Sequence, residues 1–286
     1  MRTPAENARL ALLLEVAGTP KPGNVDRHRD LPELRFEHFL AGAVGASEGL
    51  ALAGSGSPVG VAFERAVAGM ADQGGGNTQF GALALLVPLV RAAADGDRGL
   101  SPADASRIAE STTVADAVAF YRAFEHVDVF VDEPPADASV PDVRRGAAAA
   151  AELTATGTTL KDVMATGAPR DDVAREWCRG FERSFAAADR LAGADGPLAD
   201  RAAEVFISLL ADRPDTLVAS RRGVGVAEEV SERARELQRT DALAEEPDRL
   251  EAFADELVSR RINPGTTADL VAAGLFVALE NGVIEP

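Results

Sequence analysis

The chain has 286 residues, and its 46 acidic against 29 basic residues give a formal net charge of −17 at pH 7. A surface this acidic repels polyanions, which argues against nucleic acid or an anionic membrane as a partner. Cys178 is the only cysteine, so no intrachain disulfide can form. The first residues do not form a signal peptide, and no apolar run approaches the roughly 20 residues that cross a bilayer, so we expect a soluble, cytoplasmic protein.

Alanine and leucine recur at helical spacing along most of the chain, whereas the alternation that marks strands is scarce. Residues 126–131 alternate but have no partner strand, so they are interpreted as an extended connector. The pattern predicts an all-α protein in which residues 1–286 form a single domain of roughly ten or more helices. The predicted helices span about 5–17, 34–53, 59–72, 78–94, 102–125, 141–155, 170–192, 197–211, 223–239, 247–259 and 266–282.

Lysine is nearly absent: only Lys21 and Lys161 occur, while arginine is abundant. Together with the acid excess, this composition indicates a halophilic protein adapted to high cytoplasmic salt, where exposed ion pairs are screened. A high genomic GC content would explain the alanine and arginine, but less of the acid excess. Lys21 stands between Pro20 and Pro22, which hold the backbone extended, so its ammonium is presented by a stiff segment. Such a lysine is about equally typical of a group that binds phosphate or carboxylate and of a solvated loop lysine.

Polar, glycine-bearing junctions interrupt the predicted helices at three places. The first junction, residues 19–27, carries Lys21. In the second junction, residues 74–81, three glycines precede Asn77 and Thr78 at a helix start. Exposed backbone N–H groups and a helix dipole make such a segment a candidate anion cradle, although the same residues also suit a turn with an N-cap.

The third junction, residues 260–270, places two arginines and the sequence 263–265 before another helix start, which suits phosphate. Thr266 and Asp269 have the spacing of a capping box, which would account for both side chains structurally. Residues 215–223 form a weaker fourth candidate that alone would pass for a loop. The sequence contains no P-loop, no Rossmann fingerprint, no nucleophile elbow and no zinc-ligand spacing of its three histidines.

Together these junctions resemble the triphosphoribosyl-dephospho-CoA synthases, in particular an archaeal-type branch of these all-helical enzymes, which make the prosthetic-group precursor of citrate lyase and malonate decarboxylase. The family pattern E-V-x-x-T-P-K-P-G-x-V-D-R stands here as E-V-A-G-T-P-K-P-G-N-V-D-R at residues 15–27. The pattern T-G-G-V-N-T-H-K-G corresponds to G-G-G-N-T-Q-F-G at 74–81, with Gln79-Phe80 in place of His-Lys. The pattern N-x-S-P-G-G-x-A-D-L corresponds to R-I-N-P-G-T-T-A-D-L at 261–270, and a D-[ST]-x-x-x-R region to residues 215–223.

The resemblance implies a transferase in which the 2'-hydroxyl of 3'-dephospho-CoA attacks C1' of the ATP ribose, adenine leaves and the triphosphate stays intact. An oxocarbenium-like transition state calls for carboxylates, and the implied catalytic candidates are Asp26, Asp215 and Glu15. Asp26 and Asp215 are also the implied ligands of a Mg²⁺ ion bound with ATP. The residues implied in nucleotide or substrate binding are Lys21, Asn24, Arg27, Gly75, Gly76, Asn77, Thr78, Arg222, Asn263, Gly265 and Asp269.

Two other functions stay open. A related ATP-dependent ribosyl or phosphoryl transferase could use the same phosphate sites on another coenzyme precursor, and a kinase of this kind would release ADP instead of adenine. A non-catalytic nucleotide-binding helical protein would keep the scaffold without turnover, and the replacement of His-Lys at 79–80 favours it slightly. Against it stand the polar side chains of the junctions, which a scaffold does not require. A homodimer is one expected assembly.

Overall fold

The structure is a computed structural model and describes residues 2–96, 99–134, 138–240 and 245–286. In these ranges it contains sixteen α-helices, a 3-10 helix at Val143–Ala149 and no strand, which confirms the predicted all-α class. The helices are α1 (Pro4–Ala17), α2 (Phe36–Gly45), α3 (Ser47–Gly54), α4 (Val59–Met70), α5 (Phe80–Asp95), α6 (Pro102–Glu110), α7 (Val114–Ala123), α8 (Ala150–Thr156), α9 (Leu160–Gly167), α10 (Asp172–Cys178), α11 (Glu182–Gly193), α12 (Leu198–Asp212), α13 (Thr216–Arg222), α14 (Val224–Arg239), α15 (Pro247–Ser259) and α16 (Gly265–Glu280). None of these described helices is both long enough and apolar enough to cross a membrane.

The centre of the fold consists of α5 and α16, which are buried on nearly every side. A helix that is apolar all round has to be enclosed by other helices, and α16 packs against α1, α5, α10, α11, α12 and α13. The first turns of the two central helices lie side by side: a Cβ atom on Gly81 would be 2.0 Å from Asp269 Oδ2. The positive N-terminal ends of two helix dipoles therefore reach the same end of the fold.

Helix α1 runs antiparallel to α16 and brings the first junction to that end. Near the start of α1, Asn7 donates a hydrogen bond of 2.8 Å to Glu280 at the end of α16. Near the end of α1, Glu15 is close enough to Asp269 for its charge to raise the pKa of that carboxyl. The chain that leaves α1 therefore passes through residues 19–27 beside the N-terminus of α16.

Several predicted helices are divided in the structure. The range 102–125 is interrupted at Thr113, whose side chain starts α7 with a capping box. The range 170–192 is interrupted at Phe181, which has a left-handed φ of 60°. The range 34–53 forms α2 and α3. Helices α9 and α13 were not predicted, because eight and seven residues are too few for a clear helical period.

Candidate active site

All four candidate segments meet at the N-terminal ends of α5 and α16. The third junction is their common neighbour. Asn263 Oδ1 accepts a hydrogen bond of 2.9 Å from Asn24 of the first junction. Asp269 contacts Gly81 of the second junction, and Asp215 accepts a hydrogen bond of 2.7 Å from the backbone of α16. Segments that lie far apart in the sequence are thus brought into one region.

Lys21 is fully buried and forms an ion pair with Glu15. Its Nζ atom also lies 3.3 Å from Asn24 Oδ1. Burial raises the pKa of Glu15, and the ammonium beside it opposes part of that rise. The ammonium reaches a phosphate only by exchanging one of these partners, so the role of Lys21 as a phosphate clamp stays a prediction.

Asp26 is buried and fixes the shape of the first junction. Its Oδ2 accepts a hydrogen bond of 3.0 Å from Lys21 N, and its Oδ1 accepts one of 2.8 Å from His28 N. Arg29 lies 3.3 Å from Asp26 Oδ2 and pairs with two carboxylates of α15, so it ties the junction to that helix. Arg27, the arginine named by the sequence motif, is instead exposed and has no hydrogen-bond or ion-pair partner among the described residues.

Asp215 is the N-cap of α13 and joins that helix to α16. Its Oδ1 accepts from Val218 N at 3.0 Å, and its Oδ2 accepts from the N and Oγ1 atoms of Thr267, both at 2.7 Å. Burial raises the pKa of Asp215, and these hydrogen bonds oppose the rise. At the other end of α13, Arg222 donates to two backbone carbonyls of the third junction. Helix α13 therefore holds the third junction at both ends.

Asp269 differs from the carboxylates above because its side chain is partly accessible to solvent. It lies against the first turn of α5, where a Cβ atom on Gly81 would be 2.0 Å from its Oδ2. Removal of the carboxyl from water by the surrounding protein raises the pKa of Asp269 well above its usual value, and the negative charges of Glu15, Asp215 and Asp171 raise it further. This carboxyl therefore faces the space that the two helix N-termini share.

The capping box expected at Thr266 and Asp269 is wrong. Helix α16 begins at Gly265 with Pro264 as its N-cap, and neither Thr266 nor Asp269 caps it; Asp215 instead accepts from Thr267 N in its first turn. Thr266 therefore lies inside the helix, where its hydroxyl accepts a hydrogen bond of 3.2 Å from Thr216. Because Asp269 does not cap its own helix, its carboxylate is available to α5 and to the site.

The glycine loop of the second junction is closed on itself by Gln73. This side chain donates a hydrogen bond of 2.6 Å to Gly76 O and accepts one of 2.6 Å from Gly75 N. Asn77 Oδ1 accepts a hydrogen bond of 3.1 Å from the first N–H group of α5, while Gln79 occupies the N-cap position without capping the helix. Part of the expected anion cradle is therefore already satisfied within the loop.

A cavity of about 410 Å³ opens near Arg65 and His126, between α2 and α4. None of the candidate site residues lines it, so we assign the cavity no part in the site.

Comparison with protein families decides among the functions that the sequence left open. The model of the family described as "CitG: ATP:dephospho-CoA triphosphoribosyl transferase" matches residues 1–285. The chain belongs to the CitG family. The resemblance stated from the junction motifs and the triphosphoribosyl transferase activity that it implied are thereby confirmed.

A solved structure is similar to this CitG-family chain as well. It is the crystal structure of a candidate triphosphoribosyl-dephospho-CoA synthase from Archaeoglobus fulgidus, with a TM-score of 0.68 and 26% sequence identity. The match covers 85% of this chain and 99% of that chain. No curated protein matches the chain.

Proposed function

We propose that the protein transfers the triphosphoribosyl group of ATP to the 2'-hydroxyl of 3'-dephospho-CoA and releases adenine. In this reaction the acceptor oxygen forms a bond to C1' of the ATP ribose, and the bond from C1' to N9 of adenine breaks. The proton of the hydroxyl leaves, the departing adenine takes up a proton, and all three phosphates are retained. The observation that carries the proposal is the CitG family match over residues 1–285, on a chain whose four motif segments meet at one site.

The triphosphate is proposed to bind at the N-terminal turns of α5 and α16. Two helix dipoles favour an anion there, together with those first-turn N–H groups that Asn77 and Asp215 do not already bind. Lys21 would supply a positive charge, and the exposed Arg27 another. The other proposed contacts to phosphate or ribose come from Asn24, Gly75, Gly76, Asn77, Thr78, Asn263 and Gly265, with Arg222 holding the third junction in place.

The carboxylates are proposed to stabilise the sugar as it becomes cationic. Asp26 and Asp215 have both oxygens engaged by protein donors, so either would act as a fixed negative charge and not as a proton acceptor. Glu15 is a proposed base because burial raises its pKa. Asp269 is partly accessible, and we place it beside the reacting ribose.

Magnesium is proposed to enter as part of the substrate, bound to the phosphates of ATP. Within the described ranges, no three metal-ligating side chains lie together as a metal site. Asp26 and Asp215 direct their oxygens at protein donors, so the residues present do not fit a protein-held ion. No step of the proposed reaction depends on an ion held by the protein.

Identification of the products by mass spectrometry tests the proposal. The reaction contains ATP, Mg²⁺ and 3'-dephospho-CoA at high KCl, because the acidic composition indicates a protein that works at high salt. Free adenine and a triphosphoribosyl adduct are the expected products. ADP would identify a phosphoryl transferase instead, and a folded protein that raises its melting temperature with ATP but forms neither product would be a nucleotide-binding protein.

The remaining proposals concern location and assembly. We propose a cytoplasmic protein, with no nucleic-acid partner because of the net charge of −17, and a homodimer. Light scattering at high KCl gives the mass in solution and tests the homodimer, and titration with DNA and RNA tests the expectation that the protein binds no nucleic acid. A monomer, or tight binding of either nucleic acid, would contradict the corresponding proposal.

A further inference from the structure

Four buried side-chain atoms of the described residues have no hydrogen-bond partner within the protein, and all four belong to the first two junctions. They are Thr19 Oγ1, Thr78 Oγ1 and the Oε1 and Nε2 atoms of Gln79. Buried polar atoms are nearly always paired, so an unpaired group needs an explanation such as a ligand. Two of the four atoms belong to the carboxamide of Gln79, a residue that is only 3% exposed, so water outside the protein does not reach them.

The side chain of Gln79 has no role in capping α5. It is the N-cap residue of that helix, yet it forms no side-chain capping bond, and Asn77 takes that part instead. The Oε1 atom and the neighbouring hydroxyl of Thr78 lie against α2 at Gly42, where a Cβ atom would be 3.0 Å and 2.6 Å from them. Glycine at position 42 therefore makes room for this polar pair.

The chemistry of the pair indicates an uncharged ligand group. Neither the carboxamide nor the hydroxyl carries a charge, and the N–H of Gly75 is already used by Gln73. A carboxamide presents an acceptor and a donor side by side. This arrangement complements the edge of adenine, where the N6 amine donates and the adjacent ring nitrogen accepts.

We propose that Gln79, with Thr78 beside it, reads the amino edge of an adenine base: Oε1 accepts from N6, and Nε2 donates to the adjacent ring nitrogen. The proposal rests on the proposed function, in which both ATP and 3'-dephospho-CoA carry an adenine. Because the amide is buried, the base reaches it when the loop at Gly74–Gly76 moves aside. A Cβ atom on Gly74 or Gly76 would meet no other atom within 4 Å, whereas Gly75 packs against His38 and donates to Gln73, so the movement has to break these two contacts.

The test measures dissociation constants, without turnover, for ATP and for purine riboside 5'-triphosphate, which lacks the 6-amino group. We expect the wild-type protein to bind the analogue roughly 10- to 100-fold more weakly, because Oε1 is left unpaired. Gln79→Met should bind both compounds alike. Gln238→Met, which changes a glutamine of the exposed surface in the same way, should keep the wild-type ratio.

The same comparison with 3'-dephospho-CoA and its analogue without the amino group identifies which adenine is read. Discrimination that depends on Gln79 in either pair supports the proposal. Equal binding within both pairs by the wild-type protein, or full discrimination in Gln79→Met, would overturn it. Should Gln79→Met fail to fold, Gln79→Glu keeps the shape but loses the donor, and unchanged ATP affinity in that variant would also overturn the proposal.

A stability measurement separates ligand recognition from a structural role. Methionine in place of an unpaired buried amide should raise the melting temperature by about 2–4 °C, while ligand binding weakens. A lower melting temperature with unchanged discrimination would show that Gln79 is structural only. Failure of the proposed function is distinguishable, because the wild-type protein would then form no adenine and no adduct even if its affinities depended on Gln79.

Discussion

The buried ion pair of Lys21 and Glu15 gives the most quantitative prediction. Lys21→Met leaves the Glu15 carboxyl buried without its cation, so the folded variant has to hold it protonated. Protonation of a group with an unperturbed pKa near 4.3 costs about 1.4 kcal/mol per pH unit above that value, or about 4 kcal/mol at pH 7. We therefore expect the free energy of unfolding to fall by about 3–5 kcal/mol at pH 7.

The pH dependence of that loss follows from the direction of the pKa change. In the variant the folded pKa of Glu15 lies above the unfolded pKa, so the folded state binds more protons and its stability decreases as the pH rises through this interval. Relative to wild type, the deficit should shrink to about 1 kcal/mol at pH 5. Urea unfolding at pH 5, 6 and 7 measures it.

Lys161, the only other lysine in the sequence, supplies the matched control. Its ammonium pairs with Glu110, whose side chain is 65% exposed, and donates to Trp177 O at 2.9 Å, so Lys161→Met should cost no more than about 1–2 kcal/mol at any of these pH values. A Lys21→Met variant as stable as Lys161→Met at pH 7, or a deficit that does not shrink in acid, would refute the reasoning.

The double variant Glu15→Gln/Lys21→Met separates stability from function. Removal of both charges should restore most of the stability, because neither charge is left unpaired. If either residue also acts on the substrate, turnover should remain lower by on the order of 10²–10³, because the variant lacks both the proposed phosphate contact of Lys21 and the proposed base Glu15. Full recovery of turnover would assign both residues to the structure alone.

Three further predictions concern the other junctions. Asp269→Asn should stabilise the protein at pH 7 and leave its stability unchanged below about pH 4. The folded pKa of Asp269 is raised, so ionising the carboxyl in the folded state costs free energy only at pH values above its unfolded pKa. Urea unfolding at several pH values measures the difference. Asp215→Ala should lower the free energy of unfolding by about 2–4 kcal/mol, because three buried donors lose their acceptor, and a change below about 1 kcal/mol would contradict that assignment. Gly23→Ala should weaken both ATP binding and stability, because its Cβ atom would lie 2.1 Å from Ile262 O. Calorimetric titration with ATP measures the binding, and Gly74→Ala, whose Cβ atom would have no other atom within 4 Å, is the matched control.

The helical class and most of the long helices could be predicted because alanine and leucine mark the buried faces with a regular period. The points where predicted helices are divided could not be predicted, because each depends on the conformation or hydrogen bonds of a single residue. At Thr113 a capping box starts a new helix, and at Phe181 the backbone turns left-handed. A period averaged over many residues does not register either event.

The candidate site shows a similar boundary between local and tertiary information. The motif segments were found because glycine, proline and asparagine cluster visibly between helices. The partners of their side chains could not be found in the same way, because they lie far away in the sequence. Examples are the ion pair of Arg29 with α15 and the hydrogen bond from Thr267 to Asp215. The capping-box error has the same origin, because the spacing of Thr266 and Asp269 is local, whereas Thr266 binds Thr216 of α13 and Asp269 lies against α5.

The charges of the site indicate how a protein with a net charge of −17 accommodates a triphosphate. Each positive group of the site already has a carboxylate beside it: Glu15 pairs with Lys21, Asp215 binds the first turn of α16, and Asp269 lies against the first turn of α5. A triphosphate bound at the helix ends would be repelled by these carboxylates, which favours the magnesium complex of ATP, since the ion offsets part of the phosphate charge. The same carboxylates would stabilise the ribose, which becomes cationic as adenine departs.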